Sequence, residues 1–339
     1  MLYHIIHIEQ RGDYEGLSGR SHTRNVGIVG KIVTRNMGDI MKDIVVLLEE
    51  KGPLTGKEIL EHTREDEFQV WKYCVSFPDI VTRIIGRRYL RLDRQVEGYA
   101  RLSPSIMREF FGYTIIGLKN QNEEIDRRAE LLQKQIRDIS KRKFQLAQEL
   151  VTKLVESQKL TDLVNEKACV IIAGDVAYGM SHMEPRPEFS TGEMVRGSDL
   201  DIVIITESMD SKTIGLLDSM LYQEKYMLLR NPSYKEEIDY LIKDVTKMEN
   251  QLLFDNFENM IACKILDEGE YLYGNKDLFL RLKAKLKEYG IPDKLWLLEQ
   301  KAIDHRKDAE SMLIHNPGVL SNNEITQLFY TTAEREEFF

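Results

Sequence analysis

Apolar and polar positions follow two rhythms along this chain, first helical and then strand-like. Ile40, Ile44, Val45 and Leu48 recur every three or four residues, which predicts a helix over Asp39–Lys51. Gly52-Pro53 stops it, and Thr55 is placed to cap a short second helix through Glu58–His62. A third helix is expected over Glu67–Phe77, ending near Pro78. Two strand-like runs, Ile80–Ile85 and Arg88–Leu92, then flank Gly86-Arg87 and predict a hairpin wing. Residues 37–103 thus predict a winged helix-turn-helix module.

Residues 104–165 predict a long helical connector. Ile125, Ala129, Leu132, Ile136, Ile139, Leu146, Leu150 and Leu154 lie at spacings of three, four or seven, and neither Pro nor Gly occurs between Asn120 and Ala173. So long a stripe needs a partner. Packing on the rest of the chain supplies one, and a homodimer through this helix is the other candidate. Lys134, Arg137, Lys141, Arg142 and Lys143 form its charged face, read as solvated.

The rhythm then becomes continuous. Ala168–Ala173, Leu200–Ile205 and Ile238–Ile242 are apolar runs expected as strands covered on both faces. Helices are expected at Lys212–Leu229 and Gln251–Leu266, giving an α/β domain over 166–280. Further helices over Asp277–Tyr289, Asp293–Met312 and Asn323–Arg335 make a C-terminal helical region, 281–339. Residues 1–36 begin strand-like and turn Gly-rich. Arg20, His22, Arg24 and Lys31 there are a candidate substrate surface, with a solvated loop as the alternative.

Composition narrows the function classes. With 42% hydrophobic and 30% charged residues, the chain has an ordinary soluble composition. No apolar run approaches the ~20 residues needed to span a bilayer, so no membrane role is expected. The N-terminus lacks secretory features, and Cys74, Cys169 and Cys263 show no paired spacing. Free buried thiols and a cytoplasmic location are expected. A net charge of −9 argues against wholesale nucleic-acid binding, but Arg83, Arg87, Arg88 and Arg91 concentrate basic charge on the expected wing. The acidic start of the third helix, Glu65-Asp66-Glu67, opposes docking on a duplex. Nucleic-acid binding and a structural or protein-contact role both stay open for this module.

The chemistry concentrates in Gly174-Asp-Val-Ala-Tyr-Gly179 and Gly197-Ser198-Asp199-Leu-Asp201-Ile202. Aspartates at i and i+2 of a strand project from one face, and two such charges call for a cation. Hard oxygen ligands suit Mg²⁺ or Mn²⁺. These motifs resemble the nucleotidyltransferase superfamily with its DNA polymerase β-like palm, in particular its minimal branch. The resemblance covers roughly residues 165–280. It implies that Asp199, Asp201 and a later-strand Asp239 are catalytic metal ligands. Gly174, Asp175, Gly179, Ser198 and Arg196 then fall at nucleotide-contacting positions, with Arg186 a second candidate for the leaving pyrophosphate. Asp175 stands where the family places serine, and the 180–197 segment is longer than in small members, as a lid or substrate loop would be.

The fold expected is therefore an α/β (α+β) nucleotidyltransferase core with an N-terminal winged helix, a long connecting helix and C-terminal helices. The expected activity is metal-dependent transfer of an NMP from an NTP, ATP foremost, to a hydroxyl of protein, RNA or a small molecule. The alternative is a nucleic-acid-binding regulator whose nucleotidyltransferase-like domain senses a nucleotide without turnover.

Overall fold

The computed structural model describes residues 37–188, 191–315 and 320–330, a mixed α/β arrangement with small sheets. The substrate surface expected on Arg20, His22, Arg24 and Lys31 lies outside the described residues, as does the end of the last expected helix.

Helix α1 (Met37–Lys51) leads through β1 (Leu54–Thr55) into α2 (Gly56–Thr63) and α3 (Glu67–Ser76). The boundaries follow local chemistry. Thr55 and Glu58 form a reciprocal capping box on α2, and the Asp66 carboxylate accepts from the Gln69 N–H at the start of α3. The acidic start of α3 is thus a cap that also suits the helix dipole.

The next elements are β2 (Ile80–Ile84), β3 (Tyr89–Leu92), β4 (Ala100–Ser103), α4 (Ile106–Gly112) and β5 (Thr114–Leu118). Here the expected hairpin wing is corrected. β2 pairs antiparallel with β5, giving the sheet order β1-β5-β2, while β3 pairs with β4. The cause is burial. Leu90 opposes Leu102, and Leu92 opposes Ala100; all four join the core of the larger sheet below, drawing their ribbon away from β2.

The expected connector over 104–165 is also redrawn. Its first part is α4 and β5, which complete the N-terminal module, and the long helix proper is α5 (Asn122–Ser157). Its stripe is covered within the chain. Ile125, Ala129 and Ile136 pack with Ile85, Tyr113, Ile115 and Met180, while Ala147, Leu150, Val151 and Leu154 pack on the larger sheet. The apolar stripe that motivated a homodimer therefore has its partner already. Lys143, assigned to the solvated face, is buried in an ion pair with Glu236.

After α6 (Thr161–Lys167), the chain enters β6 (Ala168–Ala173), the short helix α7 (Gly174–Tyr178), β7 (Pro185–Pro187), β8 (Met194–Arg196) and β9 (Leu200–Thr206). Helix α8 (Ser211–Arg230), β10 (Ile238–Asp244), α9 (Val245–Gln251), α10 (Phe257–Glu268) and β11 (Glu270–Gly274) follow. The helix expected from Gln251 to Leu266 begins only at Phe257, and Gln251 ends a separate short helix, with Phe254 at positive φ between the two and Asn256 capping the later one. The C-terminal helices are α11 (Lys276–Glu288), α12 (Ile291–His315) and α13 (Asn322–Phe329).

The larger sheet has the order β10-β9-β6-β11, with β9 and β10 parallel and the other pairs antiparallel. Its apolar runs are buried on both faces because successive side chains point opposite ways. Cys169, Ile171, Val203, Ile205 and Leu241 face α9 through α12; Val170, Ile172, Ile202, Ile204 and Ile238 face α5, α6 and α8. The C-terminal region is shared between modules, since Ala309, Leu313 and Phe329 join the core of α1–α4.

All three cysteines are free and buried, and burial pushes each thiol up to about 12. They are unreactive packing groups. Among the described residues, no helix is long and apolar enough to cross a membrane.

Candidate functional site

The parallel pairing of β9 and β10 builds the centre of the site. Asp239 lies directly opposite Asp201, so two carboxylates project from one face of neighbouring strands about 4.8 Å apart. Asp239 is selected from its acidic neighbours by this register. Glu236 pairs with Lys143, Glu237 pairs with Arg186 at 2.8 Å, and Asp244 caps α9.

Asp201 and Asp239 are almost fully buried, at 6% and 2% exposure. Burial raises the Asp201 carboxyl above its ordinary range, and Asp239, Glu268 and Asp175 add like-charge repulsion. Lys225 of α8 reaches Asp239 at 3.1 Å. Burial works against the charge on Lys225, but Asp239 outweighs it and holds the ammonium above its usual value. Arg186 forms ion pairs with Asp199 and Glu237 and donates from Nε to the Gly197 carbonyl at 3.1 Å. Glu237 is nonetheless pushed up to about 7, chiefly by burial.

The glycine turn closes the other side. Gly174 follows Ala173, itself paired with Asp201, and adopts φ +68°. A Cβ here would overlap Asp201 Oδ2, so glycine is needed both for the backbone conformation and for the close approach. Its N–H donates to Glu268 Oε1 at 3.1 Å, and Glu268 is paired with the buried ammonium of Lys264. Gly179 ends α7 at φ +68°, with its N–H returning to the Val176 carbonyl at 3.1 Å. It is a helix terminator.

Asp175 occupies a closed polar nest. Its carboxylate accepts from the Tyr89 hydroxyl and, at 2.7 Å, from Ser198 Oγ. Burial alone would raise its pKa. The two hydroxyl donors and the Arg108 charge reverse that and hold it low. Ser198 Oγ also accepts the His182 N–H at 3.2 Å, so its proton and one of its two lone pairs are engaged within the protein. His182 Nε2 lies 2.5 Å from Arg108 Nη1, and the Glu184 N–H faces Nδ1. A ring facing two donors gains nothing from a second proton; burial first and Arg108 next depress its pKa to about 3.

Asp201 and Asp239 thus lie side by side at one end of the sheet, with Asp199 immediately before β9 and Gly174 against Asp201. Arg196 is not with them. It is exposed and contacts the Pro232 carbonyl at 3.4 Å, so Arg186 is the arginine at the carboxylates. The four wing arginines do not form one basic face. Arg83 pairs with Asp126, Arg87 lies over the Tyr178 ring, and Arg88 is held bidentately by Glu109 and also by Glu310. Arg91 lies half-buried on β3. Their partners are remote in sequence, which a local count of arginines does not reveal. Sequence reasoning also missed Lys225, Lys264, Glu268 and Tyr89. Each sits on an ordinary helix or strand with no motif around it, so no local signal marks them.

Among the described residues, no group of three or more His, Cys, Asp or Glu side chains is arranged to hold a metal ion. Carboxylate oxygen is the donor type that suits a hard divalent cation, and burial, with like-charge repulsion added, already raises Asp201. The residues that could hold it are Asp199, Asp201 and Asp239, once Arg186 and Lys225 yield their places. The chain was compared with family models, curated proteins and solved structures, and none matches.

Proposed function

We propose that this chain is a metal-dependent nucleotidyltransferase that moves an NMP from an NTP, ATP foremost, to a hydroxyl acceptor and releases pyrophosphate. The observation that carries the reading is the register of Asp239 with Asp201, closed by a Gly174 backbone that packs on the Asp201 carboxylate. A scaffold has little physical use for buried like charges set side by side.

A Mg²⁺ or Mn²⁺ ion held by Asp199, Asp201 and Asp239 would neutralise charge on the triphosphate during in-line displacement at the α-phosphate. The chain's own groups do the rest. Arg186 and Lys225, now paired with Asp199 and Asp239, are the cations available to compensate the departing pyrophosphate. Asp239 would take up the acceptor hydroxyl's proton. Asp175 does not meet phosphate, because Tyr89 and Ser198 fix its carboxylate in the nest. The serine-to-aspartate departure from the family pattern therefore serves to anchor the β3–β4 ribbon on the glycine turn.

A second reading is a nucleic-acid-binding regulator that senses a nucleotide without turning it over. The ion pairs of Arg186 and Lys225 favour it, since they neutralise the carboxylates without a metal. Incubation with Mg²⁺ and each of four α-labelled NTPs, beside Asp199→Asn/Asp201→Asn, separates the two. Label appearing on protein, RNA or a small molecule, and lost in the double variant, supports transfer. Nucleotide binding without transfer supports the sensor.

A further inference from the structure

The two basic side chains that meet the carboxylates are held very differently. Arg186 is shared by three acceptors on two segments: Asp199 and the Gly197 carbonyl on one, Glu237 on the other. Its side chain is only 12% exposed, and a planar guanidinium held from several sides is fixed in orientation. Lys225 has Asp239 Oδ1 as its one hydrogen-bond acceptor among the described residues, at 3.1 Å. Its side chain is 25% exposed, whereas the Asp239 side chain is 2% exposed. The ammonium therefore reaches inward from the solvent edge on a flexible four-carbon stem. Lys225 can swing outward by giving up a single contact; Arg186 cannot.

The local charge shows what suits its place. Asp201 and Asp239 lie in register, and the nearby Glu268 is matched by Lys264. With Lys225 on Asp239, the two aspartates share one positive charge. With Lys225 withdrawn they share none, and their two negative charges equal the charge of one divalent cation. An ammonium and a divalent ion on the same carboxylate would repel each other at short range, where burial leaves that repulsion weakly screened.

We infer that Lys225 is an internal counter-ion that competes with a divalent metal ion for Asp239, so that the ion enters only as the ammonium swings out. The inference rests on the metal-dependent reading of this site and adds its regulation, because the chain itself holds metal binding weak. Once withdrawn, the ammonium is free to pair with an anionic phosphate. A triphosphate thus favours metal binding by taking Lys225 out of the competition, and by linkage the metal favours the triphosphate.

The test is Mn²⁺ binding to the full chain without nucleotide, read from the electron paramagnetic resonance signal of the free ion. Lys225→Met should bind Mn²⁺ at least about tenfold more tightly than wild type, because a competing buried charge is gone. Lys225→Arg, which keeps the charge, should show no such gain. Asp239→Asn in the Lys225→Met background should lose it, which assigns the ion to that carboxylate. A second measurement needs no variant: saturating Mg²⁺ should speed reductive methylation of wild-type Lys225, followed by mass spectrometry, about threefold or more as the ammonium is released. An equal or weaker Mn²⁺ affinity in Lys225→Met, or a Lys225 methylation rate indifferent to Mg²⁺, would overturn the inference. Neither readout involves an NTP. A gain in Mn²⁺ affinity without label transfer keeps the counter-ion and removes the enzyme, whereas transfer without that gain removes the counter-ion and keeps the enzyme.

Discussion

Two buried ionic clusters in this protein are built on opposite principles. At the junction of α4, β3 and α12, Arg88 and Arg306 meet Glu109 and Glu310, and positive and negative charges balance. At the end of the larger sheet, Asp175, Asp199, Asp201, Glu237, Asp239 and Glu268 outnumber Arg108, Arg186, Lys225 and Lys264. The balanced cluster joins the N-terminal module to the C-terminal helix. The unbalanced one holds like charges together against their repulsion, which a purely structural joint does not require. The contrast separates a clamp from a candidate site.

The largest expected effect lies in the clamp. Glu109→Ala leaves Arg88 and buried Arg306 to share Glu310 as their one carboxylate, and should cost about 3 kcal/mol in urea unfolding. A loss under about 1 kcal/mol would mean that the network carries little of the junction. Gly174→Ala comes next. Left-handed backbone with a Cβ costs about 1–2 kcal/mol, and the new methyl also overlaps Asp201 Oδ2. Reduced stability together with lost nucleotide transfer is expected; full activity would detach the turn from the chemistry.

A graded effect follows from His182. Its pKa is depressed to about 3 when folded, so the unfolded chain binds an extra proton below its ordinary value near 6.5. Stability from this group is complete above pH 6.5 and declines as the pH falls toward 3. In His182→Gln, chemical denaturation between pH 7 and 5 should show a flatter decline; an unchanged slope would assign the acid sensitivity elsewhere.

Asp201→Asn is expected to behave unlike the clamp variant. Removing a charge already opposed by Asp239 and Glu268 should leave the unfolding free energy within about 1 kcal/mol of wild type, in the stabilising direction, while abolishing transfer. Marked destabilisation would make the carboxylates structural after all. The smallest effect belongs to Arg83→Ala, which breaks an exposed pair with Asp126 and should change stability by less than about 0.5 kcal/mol. Loss of duplex binding in a filter assay would restore this arginine to a nucleic-acid surface.

Much of the local structure was legible. The Thr55 cap, α3 over Glu67–Ser76, the three apolar strands and α8 followed from side-chain spacing and capping chemistry. The i, i+2 aspartates and the later Asp239 were also visible. What failed was partner choice. Ile80–Ile84 and Tyr89–Leu92 both looked like strands and are strands, but each pairs with a segment further along the chain. The arginines at 83, 87 and 88 looked like one patch, and contacts distant in sequence separate them.

The sequence by itself determined where helices and strands begin, because caps, turns and hydrophobic period act over a few residues. It also determined that acidic groups would gather after a glycine turn. Only the tertiary structure decided that Asp239 sits beside Asp201, that Arg186 and Lys225 meet those carboxylates, and that Tyr89 fixes Asp175. Those outcomes depend on register and on burial between distant segments, where the free energy of a contact is set by the whole packed neighbourhood.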